Sequence, residues 1–153
     1  MTTQVVYLER YDWLIKIYYA IDTYYTDLIL DELDAIDCDP DAFYAAAEML
    51  ENFEYNTGFT YTDPEKHVTF IILGLTTSAK EFLNTFVHEV GHAAVHIGEE
   101  CDINPYSEEL QYLQADIATQ MFEYASGFMC ECCRNDINLY NFGKMKIKIK
   151  EKE

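Results

Sequence analysis

Residues 78–98 read SAKEFLNTFVHEVGHAAVHIG. Ser78 and Glu81 form a capping box, a hydroxyl and a carboxylate three apart that satisfy the free amides at a helix start. The spacing predicts a helix from about 79 to 97, with Gly98 as its terminator. Phe82, Leu83, Phe86, Val87, Val90, Ala94 and Ile97 make that helix a largely buried element. In its middle stands His88-Glu89-Val90-Gly91-His92. Helical residues four apart share a face, with Cβ atoms about 5–6 Å apart, so His88 and His92 can turn their imidazoles to one metal ion. Zinc accepts two imidazoles, and three protein ligands with an open water position make a catalytic centre. Glu89, beside the pair, is placed to take a proton from water and pass it to a leaving amine. The plain alternative is a pair of solvent-facing or internally satisfied histidines. The apolar flanks favour the metal, because an ionisable stripe on a buried helix needs partners.

A third ligand has to come from downstream, where His96, Glu99, Glu100, Glu108, Glu109 and Asp116 are the candidates. His96 continues the stripe of His88 and His92. Three ligands at one-turn intervals on a straight helix nevertheless span too far for one ion at about 2.1 Å. His96 is therefore expected to support the ligands or face a substrate, with an ordinary satisfied histidine as the alternative. A second helix fits 107 to about 128, started by Asn104-Pro105 or Ser107. At about 100° per residue it puts Glu108 on a stripe with Tyr112, Ala115 and Phe122, and Glu109 with Asp116, Gln120 and Glu123. The first stripe reads as a helix-contact face and the second as solvated, which favours Glu108 as ligand over Glu109. Tyr112, one turn beyond Glu108, is either a phenol that polarises a substrate carbonyl or a core aromatic.

Upstream, Trp13–Tyr19 alternates apolar residues around Lys16, as a strand or as the opening of a helix. From Asp22 or Thr23 to about Ile36 an amphipathic helix is expected. Asp39 as N-cap with Pro40 at the first helical position starts another, running to about Phe53. The two form a helical hairpin. Asn56-Thr57-Gly58 is a turn, after which Phe59–Tyr61 and Val68–Leu73 read as antiparallel strands joined through Asp63-Pro64. The second strand leads into the histidine helix, where an exposed strand edge can hold an extended peptide by main-chain hydrogen bonds.

With 28 Asp and Glu against 10 Lys and Arg, the formal net charge is -18. That field repels nucleic acid and anionic membranes and favours neutral or cationic partners. Half the residues are apolar, a composition that folds, and 153 residues suffice for one core. We expect a single domain over 1–143 and a charged tail at 144–153 that is an edge strand or disordered. Glu9, Arg10, Asp12 and Lys16 interrupt the first apolar stretch, so neither a secretory segment nor a membrane span is expected there. Five cysteines cannot all pair, and free thiols in a reducing cytoplasm are the simplest expectation. Cys130, Cys132 and Cys133 lie close enough in sequence for a second metal or a redox pair to be weighed against loosely packed free thiols.

The helix-borne His88-Glu89-Val90-Gly91-His92, followed by Ser107-Glu108-Glu109-Leu110-Gln111-Tyr112-Leu113, resembles the zincin metallopeptidases. Within them it is similar to the gluzincin arrangement, in which a Glu on a following helix is the third ligand. Glu81-Phe82 at the helix start and the Glu-Glu-Leu-x-Tyr-Leu segment look like those of short zincin-like proteins from phages and gut bacteria. The resemblance covers roughly residues 68–122. It implies an α+β fold in which a small antiparallel or mixed sheet packs on the active-site helix, with the helical hairpin before it and the second ligand helix after it. It also implies one Zn2+ per chain, held by His88, His92 and Glu108, and hydrolysis of peptide bonds with Glu89 as base. The short interval from His92 to Glu108 and the lack of a substrate subdomain depart from large gluzincins. The competing expectation is a catalytically weak or inactive zincin scaffold that binds a protein partner.

Overall fold

The computed structural model describes residues 2–21, 26–52 and 54–134, and they fold as α+β around a four-stranded mixed sheet. The expected tail at 144–153 and the expected start of the first helix at 22–25 lie outside the described residues. Strands β1 (Thr2–Leu8) and β2 (Trp13–Ile21) form an antiparallel hairpin around a single 3-10 turn. Helices α1 (Thr26–Ala35) and α2 (Pro40–Asn52) follow, then β3 (Gly58–Asp63) and β4 (Val68–Gly74). The sheet order is β1-β2-β4-β3, with β2 and β4 parallel and β3 antiparallel to β4. Helices α3 (Ala79–Glu100) and α4 (Glu108–Ala125) follow, and a 3-10 turn at Ser126–Phe128 comes after them.

Period-two alternation sends each strand's residues to opposite faces, and both faces of the sheet are covered. Ile15, Ile17 and Tyr19 of β2, with Ile71 and Leu73 of β4, pack against α3 and α4 through Phe82, Phe86, Val90, Ile97, Leu113 and Ile117. Tyr18, Phe70 and Ile72 face the other way, onto Ile29 and Leu33 of α1 and Ala46 and Leu50 of α2. Lys16 lies on this second face and pairs with Glu32 of α1, which places its charge without breaking the strand.

Local signals act where the sequence put them. Asp39 Oδ2 accepts from the amide of Ala42 at 3.2 Å and caps α2. Ser78 Oγ accepts from the Glu81 amide at 3.1 Å, and Ser107 Oγ accepts from the Leu110 amide at 3.4 Å. Trp13–Tyr19 is strand, not helix.

Three expectations are corrected. Gly98 does not terminate α3, which runs on to Glu100. A Cβ there would lie 2.7 Å from Leu110 Cδ1, so this glycine lets α4 approach. Thr2–Leu8, in which no element was foreseen, is an edge strand. The free edge beside α3 belongs to β3, because β4 is hydrogen-bonded on both sides.

Candidate metal centre

Helix α3 lies with its apolar stripe on the sheet, which leaves two other stripes for chemistry. On the outer one, His88 and His92 are exposed, with their Nε2 atoms 3.1 Å apart and their rings nearly perpendicular. Two imidazole nitrogens bound to one tetrahedral zinc at about 2.05 Å would stand roughly 3.3 Å apart. The pair therefore already has the spacing of one edge of such a site, and its donor type suits zinc.

Glu89 turns the other way, into the seam between α3 and β3, and is 3% exposed. There Thr60 Oγ1 donates to Glu89 Oε2 at 2.6 Å. Gly58, two residues earlier on β3, makes the room: a Cβ at that position would lie 2.5 Å from Glu89 Cγ and 2.8 Å from Oε1. Thr85 fixes the same seam one turn before Glu89, donating to the carbonyl of Asn56 at 3.2 Å.

His96 is half-buried beside the next inward residue of β3, its Nδ1 3.1 Å from Thr62 Oγ1. Behind Thr62 the chain continues to Thr69 Oγ1 at 3.0 Å and from there to Trp13 Nε1 at 2.9 Å. An indole N–H can only donate. Thr69 Oγ1 accepts that proton, and the Thr69–Thr62 and Thr62–His96 Nδ1 hydrogen bonds that follow can each run in either direction, according to the tautomer of the ring. Burial, and then the neighbouring His92, hold the His96 pKa below the ordinary histidine value. His96 also lines a shallow cleft of about 270 Å3 with Thr60, Thr62, Glu99 and Glu100. The remaining histidine, His67, stacks on Trp13 in the β3–β4 turn and belongs to the fold.

The third ligand is where sequence and structure part. Among the described residues, the one group of three or more His, Cys, Asp or Glu ligand atoms within mutual coordinating range does not include the histidines. Glu108 is exposed on the first turn of α4 and is not brought to the pair. Its stripe is not a contact face, since Tyr112 is 69% and Phe122 58% exposed. The face that packs is Leu110, Leu113, Ile117, Met121 and Ala125. Glu109, read as solvated, instead accepts hydrogen bonds from Arg10 at 3.1 Å and Tyr11 at 3.3 Å. Tyr112 is not a core aromatic; it borders a cleft with Arg10, Tyr11 and Asp116 that includes neither histidine of the pair. His96 is likewise in no such group among the described residues.

The group that does assemble is Cys130, Cys132 and Cys133, whose sulfurs lie within 4.8 Å of one another and are able to hold a metal ion. Thr60 and Thr62 went unnoticed as site residues, and Gly58 was read only as the end of a turn. The signal was there: along β3, small and hydroxyl residues alternate with Phe59 and Tyr61, marking the face toward α3.

Comparison with known proteins adds no relative: no family model, curated protein or solved structure matches the chain. No helix among the described residues is long and apolar enough to cross a membrane.

Proposed function

We propose that the chain is a zinc-dependent hydrolase of peptide or amide bonds, with His88 and His92 holding the metal and Glu89 acting as general base and then general acid. The observation that carries this reading is the 3.1 Å approach of the His88 and His92 Nε2 atoms one residue away from a carboxylate held by Thr60. When bound, zinc supplies a Lewis acid that polarises a carbonyl and brings the pKa of a coordinated water to about 7.

The chain's own residues account for the rest. Thr60 donates to Glu89 Oε2 and orients the carboxylate, whose remaining lone pairs take the proton of the attacking water and return it to the leaving nitrogen. The seam beside α3 is bordered by the free edge of β3, whose main chain can pair with an extended peptide. A substrate laid there would pass His96, whose Nε2, in the tautomer that protonates it, is a donor suited to the substrate's carbonyl oxygen. The net charge of -18 favours the approach of cationic peptides. The reading draws on the resemblance of His88-Glu89-Val90-Gly91-His92 to the gluzincin motif.

Zinc content and cleavage of a peptide library test the proposal together. They are best measured with Cys130, Cys132 and Cys133 changed to serine, so that only the histidine pair is counted. We expect one zinc per chain, lost in His88→Ala/His92→Ala, and cleavage that Glu89→Gln abolishes with zinc retained. Full cleavage by Glu89→Gln would refute the mechanism. A protein-binding module is the second reading, favoured by one observation: the Tyr112 and Phe122 face of α4 stands in solvent. Zinc uptake without cleavage of any library member would select it.

A further inference from the structure

Independently of the histidine pair, we infer that Cys130, Cys132 and Cys133 form a second metal site, for a thiophilic d10 cation such as Zn2+ or Cu+. Thiolates select these ions over hard cations. Three sulfurs within 4.8 Å of one another match a common centre, since two sulfurs on one zinc at about 2.3 Å are roughly 3.8 Å apart. All three thiols are exposed, so an ion and any completing water reach them freely.

The segment that carries them is fixed at both ends before any ion arrives. On one side Phe128 is buried, stacked on Phe82 at 5.0 Å and on Tyr19 at 5.6 Å. On the other, buried Arg134 donates from Nη1 to the carbonyl of Thr76 at 2.6 Å and from Nη2 to that of Thr77 at 2.9 Å. Between them Glu131 Oε1 accepts from the amide of Ala79 at 2.7 Å, capping the first turn of α3. A segment already ordered loses little further freedom on binding, which favours affinity. As each sulfur binds the cation, its thiol releases a proton to solvent.

The test uses the full chain with His88→Ala/His92→Ala, reduced and stripped of metal, so that the outcome does not depend on the hydrolase reading. Zn2+, Cu+ under anaerobic conditions, and Co2+ as a coloured probe are titrated separately. We expect one equivalent bound per chain and, with Co2+, near-ultraviolet sulfur-to-metal charge-transfer absorption. Three of the five thiols should become protected from alkylation. Adding Cys130→Ser/Cys132→Ser/Cys133→Ser should remove all of this, whereas adding Cys38→Ser/Cys101→Ser should not. Tight binding of either Zn2+ or Cu+ supports the site, and the stronger of the two identifies its ion. Uptake equal with and without the three cysteines, or no charge-transfer band and no protected thiols, would overturn the inference.

Discussion

Replacing Gly58 by alanine should expose how Glu89 is held. The new methyl would stand 2.5 Å from Glu89 Cγ and 2.8 Å from both Cδ and Oε1. Ordinary carbon contacts are about 3.5–4.0 Å, so roughly 1 Å of movement is required of a side chain that is 3% exposed. Overpacking of this kind costs about 1–3 kcal/mol. For a chain of this size that lowers Tm by about 2–12 °C. Gly58 does not have a positive φ, so alanine itself fits the backbone. In a Glu89→Ala background the clash is gone, and Gly58→Ala should stabilise by about 0.4–1 kcal/mol through the unfolded chain. The double-mutant cycle, read by urea denaturation, should therefore give a coupling of about 1.5–4 kcal/mol, with the sign of the Gly58→Ala effect reversed between backgrounds. Displacing the base by about 1 Å should also cost cleavage on the order of a hundredfold with zinc content unchanged. Equal destabilisation by Gly58→Ala with and without the Glu89 side chain would refute the account of this seam.

The contact of Thr62 with His96 Nδ1 should favour one tautomer of the ring, readable from its 15N shifts, and Thr62→Val should remove that preference. Tautomer populations unchanged by Thr62→Val would refute the contact. Glu108→Ala should leave the zinc content of the histidine pair at the wild-type level, because its carboxylate stands apart from the pair; zinc lost in that variant would mean that α4 supplies a ligand once metal is present. Glu109→Ala should lower stability by at most about 1 kcal/mol in chemical denaturation, since its partner Arg10 is largely exposed. Asp39→Ala should cost about 0.5–2 kcal/mol in the same measurement by uncapping α2, and no loss would show the cap to be idle.

Signals confined to a few neighbouring residues were legible. The caps at Asp39, Ser78 and Ser107, the turn before Gly58 and the placement of His88 and His92 on one helix face could all be read locally. Pairing across distance could not: nothing local announces that β2 lies parallel to β4, with α1, α2 and β3 between them in the chain. Strand β1 was hidden for a different reason. Its outward Val5 and Tyr7 are apolar too, so the alternation of Gln4, Val6 and Leu8 toward α4 leaves no contrast. In α4 the aromatic residues misled. Tyr112 and Phe122 suggested a packed stripe, whereas the packing is done by aliphatic side chains on the opposite side of the helix, about half a turn away. That error also gave Glu108 and Glu109 the wrong environments.

The seam between β3 and α3 ties sheet register to chemistry. Gly58, Thr60 and Thr62 point to the helix because they alternate, and each meets one side chain there: Gly58 clears Glu89, Thr60 binds it, and Thr62 orients His96. Successive inward residues of a strand are about 6.7 Å apart, whereas Glu89 and His96 are separated by two helical turns, about 10.5 Å. The difference falls to the side chains, a carboxylate reaching along β3 in one case and an imidazole in the other. A slip of one residue in the pairing of β3 with β4 would turn Phe59 and Tyr61 toward Glu89 and take all three contacts away. Register on this strand is fixed from the opposite face, where Phe59 and Tyr61 pack against the α1 and α2 core. The helical hairpin therefore acts on the candidate site without touching it: by holding two aromatic rings, it decides which face of β3 the histidine helix sees.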